Sequence, residues 1–450
     1  MKPEGFASYD EAMAYLFTLT DYEKGFSFQP RTTPKLGLDR IAKLLEFVGN
    51  PERRLRAIHI AGTKGKGSTA TMVANTLARA GYKTGLFTSP HVEDVRERIQ
   101  IDGEWVPKTA VRDHLNRMLP YLRRAEARED GVYKPTFFEV FTAIAFMHFE
   151  SEDANFAVAE VGMGGRLDTT NVLGPLVCGI TPVSMDHTER LGDTLAAIAG
   201  EKAGIIKHGV PVVCGRQRPE ALQVVRDTCR DRSAPLHFLG DDISVEKGDS
   251  LVVRTWSGSL AGVKLAMPGD HQADNAAVAV GILHVLAELG AAELTDDQIR
   301  DGLATAFCPA RVELVRRHPL TVVDSSHNPV SVRAMLAALR SAFTFDRLIC
   351  VFAVAQDKDV RSMLALITDE AAHIVFTRMN SPRSSLPESL GGVAEELGYR
   401  DFTAEPDLKR ALAAAREAAG ADDLICVCGS FYLAGDARKL LRETPAEAKA

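Results

Sequence analysis

Short apolar runs alternate with helix-like stretches over the first half of the chain. The apolar runs predict strands at 57–60, 83–87, 156–161, 177–182 and 210–214. The intervening stretches carry apolar residues at helical spacing and predict helices at 68–80, 109–127, 136–149 and 194–206. This alternation is typical of an α/β fold, in which a parallel sheet has helices on both of its faces.

A second alternating region begins near residue 306. Its apolar runs predict strands, with helices between them, at 320–324, 347–354, 373–377 and 424–428. Residues 235–268 instead read as short strands with Gly/Ser turns, so we expect a small antiparallel excursion there and then a helix at 272–289. Because 450 residues exceed what one core usually holds, two α/β domains are expected, spanning 1–306 and 307–450.

The two ends of the chain carry weaker signals. Two helix-like segments, Tyr9–Thr18 and Leu38–Val48, are joined by the Pro- and Thr-containing stretch QPRTTPKLGL. The Ala/Glu-rich tail at 443–450 is expected to fray. The first fifteen residues, MKPEGFASYDEAMAY, lack the charged-then-apolar pattern of a secretion signal, so we expect a cytoplasmic location.

Composition and charge narrow the classes of function. Hydrophobic residues make up 46% of the chain and charged residues 25%, which is ordinary for a soluble protein, and no apolar run is long enough to span a bilayer. The net charge of -7 argues against generic nucleic-acid binding. Seven cysteines are scattered, and Cys426 and Cys428 alternate within an apolar strand-like run. That spacing favours packed thiols over disulfides or a metal knuckle.

The stretch RAIHIAGTKGKGSTA at 56–70 predicts a phosphate-binding loop. An apolar strand ends in a turn with glycines at 62, 65 and 67, and a helix-compatible segment follows as far as Ala80. A helix N-terminus offers free N–H donors and partial positive charge, and Lys66 adds a cation beside them. The loop departs from the common GxxxxGK[ST] spacing because Gly67 separates Lys66 from Ser68. The alternative interpretation is a plain tight turn between strand and helix.

Polar groups also follow other predicted strands. Glu160 ends an apolar run and precedes three glycines, and the segment 184–187 (SMDH) follows the next strand. Ligands of open α/β sheets collect at the carboxyl ends of strands, so these groups are candidates for binding, against the alternatives of a solvated acid and a structural histidine. By itself EKAGIIK at 201–207 reads only as a charged helix end. Thr136 and Glu139 read as a helix N-terminus, and Ser89 and His91 could be ordinary loop residues.

The motifs and their order resemble the folylpolyglutamate synthase/dihydrofolate synthase family of the Mur-ligase superfamily. The resemblance covers nearly the whole chain and rests on LGLDRIAKLL, HIAGTKGKGST, FTSPHVEDVRERIQIDG, AEVGMGGRLDTTN, DHTERLGDT, EKAGIIK, GDHQADNAA, PARVE, DSSHNP, DKD and VCGSFYLAGD. It implies an N-terminal P-loop ATPase-like domain that binds ATP and pterin, and a C-terminal Rossmann-like domain that serves glutamate ligation. It also implies an ATP-dependent ligase that joins L-glutamate to dihydropteroate, to the terminal γ-carboxylate of tetrahydrofolates, or to both.

The resemblance implies roles for individual residues. The positions that match nucleotide contacts are Gly62, Thr63, Lys64, Gly65, Lys66, Gly67, Ser68, Asn275, Arg311, Asp324 and His327. Ser89 and Glu160 match the ligands of a first Mg²⁺, and His187 matches a ligand of a second metal. Lys202 matches a lysine that is carbamylated by CO₂ in the family, which would turn a cation into a group able to face Mg²⁺. Lys66, His187 and Lys202 would therefore carry the catalysis.

The sequence departs from the family pattern at several positions, one of which lies in the predicted substrate region. Thr136, Phe138, Asp168 and Thr169 match positions near the pterin, and Thr169 replaces an alanine of the family motif. Ala310 stands where the family has glycine, and Lys64 stands where bacterial members often have asparagine. The alternatives are a folylpolyglutamate synthase only, a UDP-muramyl-peptide ligase, and a nucleotide-dependent switch. For the folate ligase we expect small-molecule partners (dihydropteroate, folates and L-glutamate), no nucleic acid, no membrane and a monomer.

Overall fold

The computed structural model describes residues 5–20, 37–129, 132 and 134–443. Most of the stretch QPRTTPKLGL and the end of the Ala/Glu-rich tail lie outside the described residues. The chain forms two compact units: unit 1 consists of 1–89, 96–265 and 273–306, and unit 2 consists of 90–95, 266–272 and 307–450. Within the described part of the chain, no helix is both long and apolar enough to cross a bilayer.

Unit 1 is built on an eight-stranded sheet with the order β4-β3-β2-β5-β1-β6-β7-β8. Its strands are β1 (Ala57–Ala61), β2 (Thr84–Phe87), β3 (Ile99–Ile101), β4 (Glu104–Trp105), β5 (Phe156–Glu160), β6 (Pro175–Ile180), β7 (Val212–Cys214) and β8 (Leu236–Phe238). A separate three-stranded antiparallel sheet contains β9 (Ser244–Glu246), β10 (Leu251–Thr255) and β11 (Gly258–Val263).

Unit 1 also contains helices, two of which precede its first strand. They are α1 (Tyr9–Leu16), α2 (Asp39–Phe47), α3 (Lys66–Arg79), α4 (Lys108–Glu126), α5 (Phe137–Ser151), α6 (Thr188–Leu191), α7 (Leu195–Ala203), α8 (Pro219–Asp231), α9 (His271–Glu288) and α10 (Asp296–Thr305). The start of α5 is fixed by a capping box, in which Thr136 and Glu139 each accept a hydrogen bond from the other's backbone N–H. The helix N-terminus expected there is confirmed.

Unit 2 holds a six-stranded sheet with the order β12-β13-β17-β14-β15-β16. Its strands are β12 (Glu313–Arg317), β13 (Leu320–Val323), β14 (Leu348–Phe352), β15 (Ala371–Phe376), β16 (Phe402–Ala404) and β17 (Leu424–Cys428). Its helices are α11 (Pro329–Ala342), α12 (Val360–Thr368), α13 (Pro387–Glu396), α14 (Leu408–Ala418) and α15 (Phe431–Glu443). The expected α/β fold class is therefore confirmed in both units. All seven cysteines are free thiols.

Several strands differ from the sequence expectations. No strand is predicted in the charged stretch 92–103, but it contains β3, which pairs antiparallel with β2 and with β4 at the sheet edge. Strand β8 was placed in the antiparallel excursion, yet it pairs parallel with β7. Strand β12 was not expected and pairs antiparallel with β13. Whether such short segments form strands depends on the strands with which they can pair, and local hydrophobic periodicity does not report those partners.

The strand order brings four predicted loops to one edge of the unit 1 sheet. Parallel neighbours of β1 are β5 on one side and β6 on the other, with Ile60 opposite Glu160 and Ala61 opposite Ile180. Strand β2 lies parallel to the far side of β5. Since these four strands end at the same edge, the segments that follow them leave the sheet side by side.

Candidate active site

The glycine-rich loop connects β1 to α3, as the sequence predicts. The backbone N–H groups of Thr63 and Lys64 both donate to the carbonyl of Pro182, at 3.0 and 3.3 Å. The side chain of Thr63 also exchanges hydrogen bonds with the backbone of Ser184. The loop is therefore held against the segment that follows β6, while the first turn of α3 begins at Lys66. Such a helix start presents N–H donors to an anion.

Two glycines of this loop lie close to buried polar side chains. Gly65 has a φ of 86°, in the left-handed region that favours glycine, and a Cβ there would overlap Oδ1 of Asn275. A Cβ on Gly67 would lie 3.3 Å from Oε2 of Glu160. The structure thus brings Asn275, from α9, and Glu160, from β5, against the loop. Both side chains are buried.

Glu160, Lys66 and Ser89 form a compact group at the strand ends. The Lys66 Nζ atom lies 3.9 Å from Oε1 of Glu160, and the backbone N–H of Ser89 donates to Oε2 at 3.1 Å. Glu160 is only 5% exposed. A carboxylate beside a hydroxyl-bearing residue offers hard oxygen donors of the kind that Mg²⁺ takes together with phosphate oxygens and water. No group of three or more His, Cys, Asp or Glu side chains suited to a metal occurs among the described residues. The oxygen donors of Glu160 and Ser89 fit an ion that takes its other ligands from phosphate oxygens and water.

Lys202 lies within the same region of unit 1. It sits in the last turn of α7, is 4% exposed, and donates from Nζ to the carbonyl of Gly62 at 2.8 Å. Burial lowers the pKa of its amine to about 7, and the nearby positive charges of Lys66 and Lys64 act in the same direction. Asp186 and Asp168 act against the shift. A substantial fraction of this amine is therefore neutral near neutral pH.

His187 occupies a more open position than its predicted role suggests. Its side chain is 57% exposed, its φ is 50°, and its Nε2 lies 3.9 Å from Oδ1 of Asp186. Asp186, which the sequence interpretation passed over, pairs with Lys64 at 3.3 Å. The signal that could have identified Asp186 was its place in the same polar cluster after β6. The structure therefore joins this cluster to the glycine-rich loop through Asp186.

Two of the predicted substrate residues, Asp168 and Thr169, belong to a second loop, at 162–171. Both carboxylate oxygens of Asp168 are engaged by this loop: Oδ2 accepts from the N–H groups of Gly162 and Met163 at 3.1 Å, and Oδ1 accepts from the N–H and hydroxyl of Thr170. Burial raises the pKa of Asp168, and these hydrogen bonds oppose that rise. Asp168 therefore shapes the loop, and a direct contact with substrate stays a prediction.

The other predicted substrate residues lie around α5. The ring of Phe138 is 5.8 Å from that of Phe87, and a Cβ on Gly162 would come within 2.7 Å of it. The hydroxyl of Thr169 is 2.7 Å from that of Thr142. The Thr136 hydroxyl serves as the helix cap. Phe138 thus lies beside the loop that Asp168 organises, and Thr169 connects that loop to α5.

The three site residues predicted in unit 2 cluster within that unit. Arg311 contacts the Ser325 hydroxyl, and its guanidinium lies 4.9 Å from the ring of Phe431. The ring of His327 is 5.6 Å from the same phenyl ring, and its Nδ1 is 3.0 Å from the carbonyl of Ser325. Phe431 was not predicted as a site residue, although its motif VCGSFYLAGD was part of the resemblance.

Asp324 holds the backbone around Arg311. Its Oδ2 accepts from the N–H of Val312 at 2.9 Å, and its Oδ1 accepts from the N–H of Ser326 at 2.8 Å. Ala310 and Val312, on either side of Arg311, have φ values of 52° and 49°. This region disfavours residues with a Cβ, so the carboxylate stabilises a strained segment.

Comparisons with known proteins agree with the fold and with these motifs. Residues 60–283 match the Mur ligase middle domain, and residues 310–431 match the Mur ligase glutamate ligase domain. The chain is 34% identical over 415 residues to the dihydrofolate synthase/folylpolyglutamate synthase of Bacillus subtilis, which covers 91% of this chain and 95% of that protein. It spans 50% of the length of a probable bifunctional folylpolyglutamate synthase/dihydropteroate synthase of Haloferax volcanii.

Solved structures show the same likeness. The folylpolyglutamate synthase of Mycobacterium tuberculosis complexed with ADP superimposes with a TM-score of 0.85 at 33% identity, covering 97% of this chain and 100% of that one. The Escherichia coli FolC structure in complex with DHPP and ADP gives a TM-score of 0.83 at 26% identity, covering 98% and 99%. The chain belongs to the folylpolyglutamate synthase/dihydrofolate synthase family of Mur ligases.

Proposed function

We propose that the protein is an ATP-dependent ligase that forms an amide between L-glutamate and either dihydropteroate or the terminal γ-carboxylate of a reduced folate. The observation that carries this proposal is the buried Glu160 carboxylate beside Lys66 and Ser89, at the glycine-rich loop that begins α3. Family membership supports it, since relatives that match between 89% and 92% of the chain are named dihydrofolate synthase/folylpolyglutamate synthase. Residues 1–306 would serve the nucleotide and pterin, and residues 307–450 the glutamate.

The first step is activation of the pterin carboxylate. A carboxylate is a poor acyl donor because its leaving group would be oxide, so the γ-phosphoryl group of ATP is transferred to it to give an acyl phosphate. The loop N–H groups and Lys66 would hold the phosphates in line for this transfer. Mg²⁺ supplies positive charge that offsets the negative charge on the phosphate oxygens. Glu160 and Ser89 are the residues that would hold it.

The second step is attack by an amine. The α-amino group of L-glutamate, in its neutral form, adds to the acyl carbon, and collapse of the tetrahedral species expels inorganic phosphate and leaves the amide. Little covalent chemistry falls to the protein, so positioning and charge stabilisation account for most of the catalysis. Arg311 and His327, which share Phe431 as a neighbour, would contact nucleotide and glutamate from unit 2.

Lys202 would be carbamylated in the active form. Its neutral amine adds to CO₂ to give a carbamate, and one proton is released to solvent. The pKa of about 7 supports this step, because only the unprotonated amine is nucleophilic. The product would be an anion that, with His187, faces a second metal. Carbon-13 NMR after incubation with ¹³CO₂ should show a carbamate signal in the parent that is missing in Lys202→Ala, and an identical spectrum for both proteins would refute the modification.

The test of the proposed function is a paired-substrate assay. Purified protein is given Mg-ATP and L-glutamate with either dihydropteroate or tetrahydrofolate, and each product is identified by a mass increase of one glutamyl residue. Products with both pterins support the bifunctional ligase, whereas a product with tetrahydrofolate alone would leave a folylpolyglutamate synthase. No product with either pterin would refute the proposal. A monomeric state, a cytoplasmic location and the absence of nucleic-acid binding stay predictions.

A further inference from the structure

A short segment of the first half of the chain belongs to unit 2. The chain leaves unit 1 after Ser89, contributes residues 90–95 to unit 2, and returns to unit 1 at Arg96. Ser89 is thus the last residue before the crossing, and it is also the residue whose N–H meets the Glu160 carboxylate. Contacts that hold residues 90–95 in place therefore also restrict the position of the chain next to Ser89. We call this segment the crossing segment.

Helix α15 holds the crossing segment through close packing. Val92 packs against the buried cluster that includes Leu433 and Ala434. Gly435, which is fully within α15 and buried, approaches so closely that a Cβ would overlap the carbonyl oxygen of Val92. A backbone approach of this kind requires glycine, so the position of the crossing segment is set by the surface of the helix.

Arg438, one turn further along α15, adds a network of charges. It is 5% exposed, and its Nε donates to both oxygens of Glu313, at 2.9 and 2.8 Å, while Nη1 pairs with Glu93 of the crossing segment. Glu313 also accepts from the N–H of Ala310 at 2.9 Å. Arg442 reaches Glu313 at 3.2 Å. One guanidinium therefore connects two separate stretches of chain.

Both stretches lead directly to predicted site residues. Glu93 lies four positions after Ser89, and Glu313 lies two positions after Arg311. Buried charges that share hydrogen bonds have restricted geometry, because displacing one of them leaves another without compensation in a medium of low dielectric constant. The planar guanidinium can hold two carboxylates at a fixed separation, which a flexible ammonium group cannot do.

We propose that Arg438 is a positioning residue of the ligase: together with Gly435 it fixes the crossing segment and the 310–313 turn, and so sets the placement of Ser89 and Arg311 for Mg-ATP. This inference rests on the proposed function. It assigns to α15 a role in nucleotide placement, although Arg438 itself does not contact the reacting atoms.

Two pairs of variants test the proposal. Glu93→Gln removes one charge of the network and leaves the Arg438–Glu313 pair intact, and Gly435→Ala displaces the crossing segment by steric overlap. Their matched controls lie elsewhere in unit 2. Glu396→Gln removes the carboxylate of the exposed Arg361–Glu396 pair, whose atoms are 2.6 Å apart. Gly392→Ala changes an exposed glycine of α13 that has no atom within 4 Å of the added Cβ.

The measurement is the KM for Mg-ATP and kcat, at saturating glutamate and pterin, with the melting temperature of each variant recorded in parallel. We expect Glu93→Gln and Gly435→Ala to lower kcat/KM for Mg-ATP by between about 10- and 100-fold, mainly through KM, because small displacements of binding groups have effects of that size. The KM for glutamate should change less. Both control variants should keep the parent values.

The outcomes separate the two proposals. A parent protein that makes no glutamylated product refutes the proposed function, and calorimetric binding of Mg-ADP to Glu93→Gln then still tests the positioning role. A parent that is active, with a Glu93→Gln variant that keeps the parent KM for Mg-ATP, overturns the positioning role whatever the melting temperature. If Gly435→Ala fails to fold, Glu93→Gln decides alone.

Discussion

Replacing the buried Lys202 with methionine should stabilise the protein more at low pH than at high pH. Lys202 is 4% exposed, and burial lowers its pKa from an ordinary 10.5 to about 7. Between these two values the unfolded chain carries a proton that the folded chain lacks. The free energy of unfolding therefore rises with pH in this window, by about 1.4 kcal/mol per pH unit for this group. Below pH 7 both states are protonated, and the folded state bears the full cost of burying the ammonium group.

The size of the effect follows from the pKa difference. A pKa lowered by about 3.5 corresponds to about 5 kcal/mol at low pH. Between pH 6 and pH 9 the free energy of unfolding of the parent rises by roughly 3 kcal/mol, because the folded form loses the proton of Lys202 near pH 7. Methionine has a similar length and no charge, so Lys202→Met lacks this pH dependence. The stability difference between variant and parent should therefore be about 3 kcal/mol more favourable to the variant at pH 6 than at pH 9.

Urea unfolding in CO₂-free buffer measures this difference. The protein has two tryptophans, Trp105 and Trp256, and both lie in unit 1 with Lys202, so tryptophan fluorescence reports the unfolding of that unit. Lys409→Met, at an exposed position of α14 in unit 2, is the matched control and should leave the curves of unit 1 unchanged. An equal stability difference for Lys202→Met at pH 6 and pH 9 would refute the inference that the amine is buried with a lowered pKa.

Three further predictions concern the loops. Lys66→Ala should abolish turnover while dihydropteroate still binds, and steady-state assays combined with calorimetry will check this; equal ATP turnover in variant and parent would contradict it. Asp168→Asn should raise the KM for pterin more than that for ATP, because an amide cannot accept all four hydrogen bonds of the 162–170 loop; unchanged pterin kinetics would argue against a loop-shaping role. Ala310→Gly should change the free energy of unfolding, measured in urea, by less than about 1 kcal/mol. The reason is that relief of the backbone strain at a φ of 52° offsets the loss of the buried methyl group. Ala415, in α14, is equally buried, and Ala415→Gly should lower the free energy of unfolding by about 2 kcal/mol. Equal losses of stability in the two variants would refute the argument.

Local sequence signals predicted the centre of unit 1 because they act over a few residues. The apolar run of β1, the glycines after it and the helical spacing after Lys66 each report a nearest-neighbour constraint, and the parallel order of strands then brings Glu160 to the loop. The hairpin β3–β4 has five strand residues in all and is bordered by charged residues, so it carries no comparable local signal. Its existence depends on pairing with β2, which only the folded sheet supplies.

The sequence was less informative about which polar residues of a cluster act on the site. His187 was assigned a metal only through the family resemblance, and its side chain is largely exposed, whereas Asp186 next to it pairs with Lys64 of the glycine-rich loop. Phe431 had no local signal of its own, since aromatic residues more often pack in cores. Its position beside Arg311 and His327 depends on the start of α15 meeting two loops from distant parts of the sequence.

The turn around Arg311 shows how backbone strain and charge act together in unit 2. Ala310 and Val312 both adopt positive φ, which for a β-branched residue such as Val312 is a clear outlier. Each donates its N–H to a buried carboxylate at 2.9 Å, Ala310 to Glu313 and Val312 to Asp324. Because Glu313 is in turn held by Arg438, the strained turn depends on α15 for its support. Strain of this kind persists only while its supports hold one geometry, so the conformation of the turn around Arg311 depends on Asp324, Glu313 and Arg438 together.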